Sequence, residues 1–290
     1  MKFGRLVYRY TGKTITTEDS IYNIGDNIQT FAVDRFYEKM NISKENIIDI
    51  NFSEMKFYDG EYVILPMAGY ASHYKRFNQL PTSDKIIPFF ISFEMSDEEC
   101  DDLIPYLKKN EPIGCPDEET MKLLRRKGVE AYTSGCLTIT LPRRDPNIIG
   151  DKVFLVDIPE ELRAFVPDEV LKNYEEITHE GILETIPMSE DERVRIEEHA
   201  LLVMEKYKNE AKLVVTSRLH VVSPCIAMGI PVILAIKNLD SRFSWLDKLI
   251  PLYDLEHFSE IDWNPKPIEL EETKDYIFSI FSKRLNKIYE

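Results

Sequence analysis

A chain of 290 residues is too long for one small core and fits two domains of roughly 100–150 residues each. Its hydrophobic content of 43%, with 15 Phe, 15 Tyr and 2 Trp, excludes intrinsic disorder. The formal charge of -15 and pI of 4.9 repel phosphodiester backbones, so no nucleic acid is expected as a partner.

Solvated surface accounts for most of the excess carboxylates. Met1-Lys2-Phe3-Gly4-Arg5 leads into mixed polar and apolar sequence, not into the apolar core of a secretory leader. No run of about 18 apolar residues occurs, so no transmembrane segment is expected. Cys100, Cys115, Cys136 and Cys225 lack CxxC spacing and read as reduced thiols, which makes the cytoplasm the expected location. His179, His199 and His257 stand apart in sequence, and no metal is expected.

In chain order, strands are expected at Leu6-Val7-Tyr8, Ile47-Ile48-Asp49-Ile50, Tyr62-Val63-Ile64-Leu65 and Ile86-Ile87-Pro88-Phe89-Phe90-Ile91. Several are near-continuous apolar runs, the mark of strands buried on both faces. Helical patterns span Asp26 to Lys39 and Asp117 to Lys127, the second closed by Gly128. Pro142 and Pro146, with the charges around them, interrupt periodicity and suggest domains over 1–145 and 146–290.

In the second half, Val153-Phe154-Leu155-Val156 reads as a strand and Pro159-Glu160-Glu161-Leu162 as a short helix start. Glu190 to Glu210 is the clearest helix, with Ser189 and Glu192 as a capping box. Ile196, Ala200, Val203, Tyr207 and Ala211 form its apolar stripe. Leu213-Val214-Val215 and Pro231-Val232-Ile233-Leu234-Ala235-Ile236 read as strands. Between them a helix begins near Val221, because Pro224 is tolerated only near a helix start. Glu271 to Tyr289 closes the chain as an amphipathic helix with Ile277, Phe281, Leu285 and Ile288 on one face. This alternation of strands and helices points to an α/β fold with parallel sheets.

The segment Thr216-Ser217-Arg218-Leu219-His220 falls where an apolar strand ends and an apolar helix begins. Open α/β sheets bind ligands at the carboxyl ends of their strands. A helix start offers amides and partial positive charge to an anion. Arg218 adds a charged fork, and His220 a side chain that titrates near neutrality.

Val214 to Ile233, with its Thr-Ser-Arg-Leu-His core, resembles the C-terminal motif of the polysaccharide pyruvyl transferase family. Asn23-Ile24-Gly25-Asp26-Asn27-Ile28-Gln29 resembles that family's opening Asn-x-Gly-Asp motif. Pro112 to Asp117, Gly128 to Tyr132 and Ser134 to Thr138 resemble its central block. The resemblance implies two Rossmann-like lobes facing a cleft, as in GT-B glycosyltransferases. It implies phosphoenolpyruvate as donor with no obligatory cofactor, and a sugar or lipid-linked oligosaccharide as acceptor. It places Arg218 and His220 in the site. The position at the helix start makes Arg218 and the amides of Thr216, Ser217, Leu219 and His220 the expected clamp on the donor's anionic groups, and His220 the expected proton-transfer group. A lipid-linked acceptor would bring the protein to the inner face of the plasma membrane.

Other candidates are weaker. Gly25, Asp26 and Asn27 open a helix, where Asp26 either caps it or faces the substrate. His73 and Arg76 follow a strand among aromatic residues that can stack on sugars, and Ser134 lies in a bend near the central block. Arg143 and Arg144 either reinforce the anion pocket or are a solvated linker. Two departures stand out: Pro116 where the family usually has Arg, and Met67-Ala68-Gly69-Tyr70 where a Gly pair is usual. They leave open a GT-B-like glycosyltransferase using a nucleotide sugar, or a catalytically inactive binding homologue.

Overall fold

The computed structural model describes residues 1–10, 21–76 and 78–289, without the side chains of Arg76, Glu99, Cys100 and Tyr289. The chain divides into two compact units. The first is Met1–Leu137 with Gly181–Glu197, and the second is Thr138–Glu180 with Glu198–Glu290. The division falls ahead of the expected boundary at 145. Thr138 already belongs to the second unit, where its buried hydroxyl donates to the Ser223 hydroxyl at 2.7 Å. The return of Gly181–Glu197 to the first unit is tied by charge: Arg5 pairs with Glu197 at 3.0 Å and with Asp34 at 2.9 Å.

The elements of the first part of the chain are β1 (Lys2–Val7), β2 (Ile21–Asn23), α1 (Ile24–Lys39), β3 (Ile47–Asn51), β4 (Val63–Tyr70) and α2 (Ala71–Arg76). There follow β5 (Ile86–Glu94), α3 (Asp97–Cys100), α4 (Ile104–Lys109), β6 (Ile113–Cys115), α5 (Glu118–Arg126) and β7 (Ala131–Thr133). Strands β1, β3, β4 and β5 form a parallel sheet in the order β3-β1-β4-β5. Val63, Ile64 and Leu65 are completely buried, so both faces of β4 are covered, as their unbroken apolar run demands. Pairing continues past the expected end at Leu65 as far as Tyr70, across an irregularity between Met67 and Gly69. Gly69 sits there at φ 103°, a left-handed conformation that favours glycine.

The second part contains β8 (Lys152–Val156), β9 (Tyr174–Ile177), β10 (Glu180–Ile182), α6 (Glu190–Glu210), β11 (Ala211–Thr216), α7 (Leu219–Ala227), β12 (Val232–Ala235), β13 (Leu252–Tyr253) and α8 (Glu271–Tyr289). Five of its strands form a parallel sheet in the order β13-β12-β11-β8-β9. Alternate residues Val153, Leu155, Leu213, Val215, Ile233 and Ala235 build one apolar cluster with Leu162, Phe258 and Ile261. The intervening Phe154, Val214 and Leu234 are fully buried as well. Burying each such side chain stabilises the fold by about 1.5–3 kcal/mol. The chain is thus a mixed α/β protein with parallel sheets, compatible with two Rossmann-like units.

Helix α6 has the expected bounds, and Ile196, Ala200, Val203 and Tyr207 are buried along its stripe. Its capping box is only half formed. The Ser189 hydroxyl accepts the Glu192 amide at 3.2 Å, but the Glu192 carboxylate turns to the Thr185 hydroxyl at 2.8 Å and the Glu184 amide at 2.5 Å. Helix α8 buries Ile277, Phe281 and Leu285 within the second unit. Lys274, also on α8, is 3% exposed and donates to the carbonyl of Ala227, the last residue of α7, at 2.8 Å. A cation at that end suits the helix dipole.

Strand β8 is entered through Gly150, where a Cβ would lie 2.3 Å from the carbonyl carbon and oxygen of Ala211. Backbone cannot yield as a flexible side chain does, so Gly150→Ala forces β8 and β11 apart. We expect a loss of about 1–3 kcal/mol, typical of overpacking, and a melting temperature lower by several degrees in circular dichroism. An unchanged melting curve would show that the approach is not a constraint.

Candidate functional site

Three neighbouring strands of the second sheet deliver one polar cluster at their carboxyl ends. Strand β11 ends at Thr216 opposite Val156 of β8, and Val156 pairs with Ile177 of β9. The next residues along each chain are therefore Ser217-Arg218, Asp157, and the Thr178-His179-Glu180 turn. The Ser217 hydroxyl donates to the Asp157 carbonyl at 2.6 Å. Arg218 donates Nε to Asp157 Oδ2 at 3.0 Å and pairs through Nη1 with Glu180 Oε1 at 2.8 Å.

Asp157 is held from several sides. It adopts φ 48°, a left-handed conformation uncommon outside glycine, and its Oδ2 also accepts the His179 amide at 3.0 Å. His179 is 1% exposed and shares its Nε2 with the Tyr207 hydroxyl at 2.9 Å, the two rings stacked at 6.0 Å. Burial pushes its imidazolium down to about 3, so the ring is neutral. Its Nδ1 has no hydrogen-bond partner among the described residues. For Arg218, burial opposes the charge, yet the bonds and charges of Glu180 and Asp157 outweigh it and raise its pKa.

Helix α7 begins at Leu219, ahead of the expected Val221, but His220 has non-helical φ -83° and ψ 20°. The cause is Pro224, whose ring collides with the carbonyl four residues back, which is that of His220. Regular helix therefore starts at Val221, and the Val221 and Val222 amides both turn to the Arg218 carbonyl. The Arg218 amide donates to Thr216 Oγ1 at 3.0 Å. Thr216 is itself completely buried. Of the five candidate residues, the helix start thus leaves the amides of Leu219 and His220 at the orphan positions. His220 as a residue is partly exposed, yet burial, helped by the charge of Arg242, pushes its imidazolium down to about 4.

In the first unit the candidates near Asp26 and His73 gather at the carboxyl ends of β1, β3 and β4. The cap of α1 is Asn23, whose Oδ1 accepts the Gly25 amide at 2.8 Å, so Asp26 does not cap the helix. Asp26 instead lies in the first turn, between buried Gly25 and Asn27, where burial pushes its carboxyl up to about 7. Its charge acts on Tyr8 and Tyr74, two phenols held above their ordinary pKa chiefly by burial. Phe52 stacks on Tyr8 at 5.5 Å and lies 4.8 Å from the His73 ring and 5.3 Å from Tyr74. Burial pushes His73 down to about 4. Arg76 closes α2, and its side chain lies outside the described residues.

Ser134 is 4% exposed and ties backbone together: its hydroxyl accepts the Ser92 amide at 3.0 Å and donates to the Cys115 carbonyl at 3.2 Å. Arg143 pairs with Glu269, and Arg144 donates to the Ala211 carbonyl at 2.7 Å, so both have structural partners. Pro116 is buried before Asp117, the cap of α5, which accepts the Thr120 amide at 2.8 Å. Among the described residues no group of three His, Cys, Asp or Glu side chains is placed to hold a metal ion.

Asp157 and Glu180 complete this cluster although sequence reasoning does not single them out, and it assigns His179 and Tyr207 no part in it. The rule that points to Arg218 also points to Asp157, since a carboxylate directly follows the apolar run of β8. Glu180 carries no comparable signal.

In fold, the chain is similar to the crystal structure of a functionally uncharacterised protein from Klebsiella pneumoniae subsp. pneumoniae NTUH-K2044. The two share 14% identity at a TM-score of 0.50, over 85% of this chain and 88% of that one. No curated protein matches the chain. The family model described as polysaccharide pyruvyl transferase matches residues 23–240, a span that runs from the Asn23 cap of α1 through the Arg218 cluster. On that match over most of its length, the chain belongs to the polysaccharide pyruvyl transferase family.

Proposed function

We propose that this transferase moves an enolpyruvyl-derived group from phosphoenolpyruvate onto two hydroxyls of a sugar, closing a pyruvate ketal during assembly of a cell-surface polysaccharide. The observation that carries the reading is Arg218, a guanidinium held at the carboxyl end of the sheet's central strand beside a helix start, in a chain of this family. Its bonds to Asp157 and Glu180 engage two of the five guanidinium donors. The others, with the Leu219 and His220 amides, offer a phosphate or carboxylate a set of fixed donors.

The chemistry requires C3 of the enol to gain a proton while C2 becomes cationic and accepts the first hydroxyl. Phosphate then leaves, and the second hydroxyl closes the ring. One hydroxyl proton ends on C3 and the other leaves with phosphate, so the balance needs a proton shuttle and no net acid. His220 suits the accepting half of that task because its ring is neutral at ordinary pH. Arg218 and the amides stabilise charge on the departing phosphate. The acceptor in this reading is a sugar or a lipid-linked oligosaccharide, the latter reached at the inner face of the plasma membrane. None of the described helices is long and apolar enough to cross a membrane.

Arg218→Ala should remove about 2–4 kcal/mol of transition-state stabilisation, as loss of one positioned donor does. Steady-state phosphate release would then fall by roughly 30-fold to nearly 1,000-fold, and unaltered turnover would exclude the anion role. A second expectation concerns pH. Since burial lowers the His220 pKa from 6.5 to about 4, the ring stays a base well below neutrality. The acidic limb of kcat/KM assigned to His220 should lie near pH 4, and a limb near 6.5 that vanishes in His220→Gln would contradict this. Thermal shift separates donors: phosphoenolpyruvate at 100 times its Kd should stabilise the fold by about 2.7 kcal/mol, with nucleotide sugars inert. The reverse pattern would favour a glycosyltransferase.

A further inference from the structure

The two carboxylates that grip Arg218 differ in how firmly they are themselves held. Asp157 is 15% exposed, sits in a left-handed conformation, and accepts the His179 amide through the same oxygen that binds Arg218 Nε. Its carbonyl is bonded to Ser217. Removing its charge leaves a guanidinium N–H and a backbone N–H without an ionised acceptor where water has little access. Glu180 is 44% exposed and meets Arg218 at one oxygen. Swinging out to water frees only the Arg218 Nη1–H, a donor that an incoming anion takes up, and such half-exposed pairs are weakly held.

We propose that these carboxylates have opposite roles: Asp157 is a positioning residue that aims the guanidinium, and Glu180 is a resident counter-ion that an incoming anion displaces. The proposal rests on the reading of Arg218 as the donor's anion site and adds a basis for selectivity. Attraction to one cation scales with the ligand's charge. A phosphate dianion therefore outcompetes the Glu180 monoanion, whereas a simple monocarboxylate only matches it. The site admits phosphate-bearing donors and turns away pyruvate-like acids, because its own side chain already provides that interaction.

The test is titration calorimetry of the full chain with phosphoenolpyruvate, inorganic phosphate and pyruvate. It compares wild type with Glu180→Gln, Asp157→Asn and the charge-retaining Asp157→Glu. Glu180→Gln should tighten inorganic phosphate by about fivefold or more, the sign expected when a negative charge beside an anion site is removed, and should make pyruvate binding measurable. Its KM for phosphoenolpyruvate should fall. Both Asp157 variants should weaken phosphate by about tenfold, the scale of losing an aligned charge-assisted bond. In the ligand-free protein, nitrogen NMR should show the Arg218 Nε–H protected from solvent exchange in wild type and Glu180→Gln and exposed in Asp157→Asn. Weakening by Glu180→Gln, or unchanged phosphate affinity in it, overturns the counter-ion role. An Nε–H equally protected in Asp157→Asn overturns the positioning role. Should phosphoenolpyruvate fail to bind while phosphate follows the expected order, the donor reading falls and this inference stands. Failure of phosphate to bind either wild type or Glu180→Gln overturns both.

Discussion

The Arg218–Asp157 bond joins the ends of two adjacent strands and sets the direction of the one guanidinium on which the proposed chemistry depends. Neither residue occupies its position by side-chain preference alone. Parallel pairing of β8 with β11 brings Val156 opposite Thr216, so the residues that follow leave the sheet side by side. The left-handed turn at Asp157 then directs its carboxylate across to the neighbouring strand. A non-glycine residue in that conformation carries a backbone penalty on the order of 1–3 kcal/mol, offset here by the three bonds to Ser217, Arg218 and His179.

Beneath this surface lies a sheet whose both faces are apolar, and that rigidity matters for the site. Val214, Val215, Phe154 and Val156 are almost fully buried, so the strand ends have little freedom to drift. The helix that follows is aimed by the same logic. Pro224 spoils regular geometry at His220, and the amides of Leu219 and His220 are left at the mouth of α7. His179, neutral and stacked on Tyr207, gives Asp157 its backbone amide while its ring adds no charge. The acidic balance of the chain acts over longer, screened distances, whereas an anion that displaces Glu180 meets the guanidinium and the helix start within a few ångströms.

Most of the architecture was legible in the residues. Strands buried on both faces leave unbroken apolar runs, and α6 and α8 show their stripes in the spacing of Ile196 to Tyr207 and Ile277 to Leu285. Less visible were features that depend on which strands become neighbours. With 51 acidic side chains in the chain, Asp157 and Glu180 look like any solvated carboxylate until β8 is placed between β11 and β9. The half-formed capping box has the same origin: Glu192 found the Thr185 hydroxyl and Glu184 amide of the preceding loop, a partner that local spacing does not reveal. Asp26 looked like a cap because it opens a helix, yet Asn23 reaches Gly25 first and α1 begins two residues earlier than its apolar pattern suggests.

The central claim is that Arg218, aimed by Asp157, receives an anionic group of the donor. A crystal structure of the protein soaked with phosphoenolpyruvate tests it most directly. Donor oxygens within hydrogen-bond distance of the Arg218 guanidinium and the His220 amide, with the Asp157 bond kept and Glu180 moved aside, are the expected result. Density for the donor elsewhere, with Arg218 still held by both carboxylates, would contradict it.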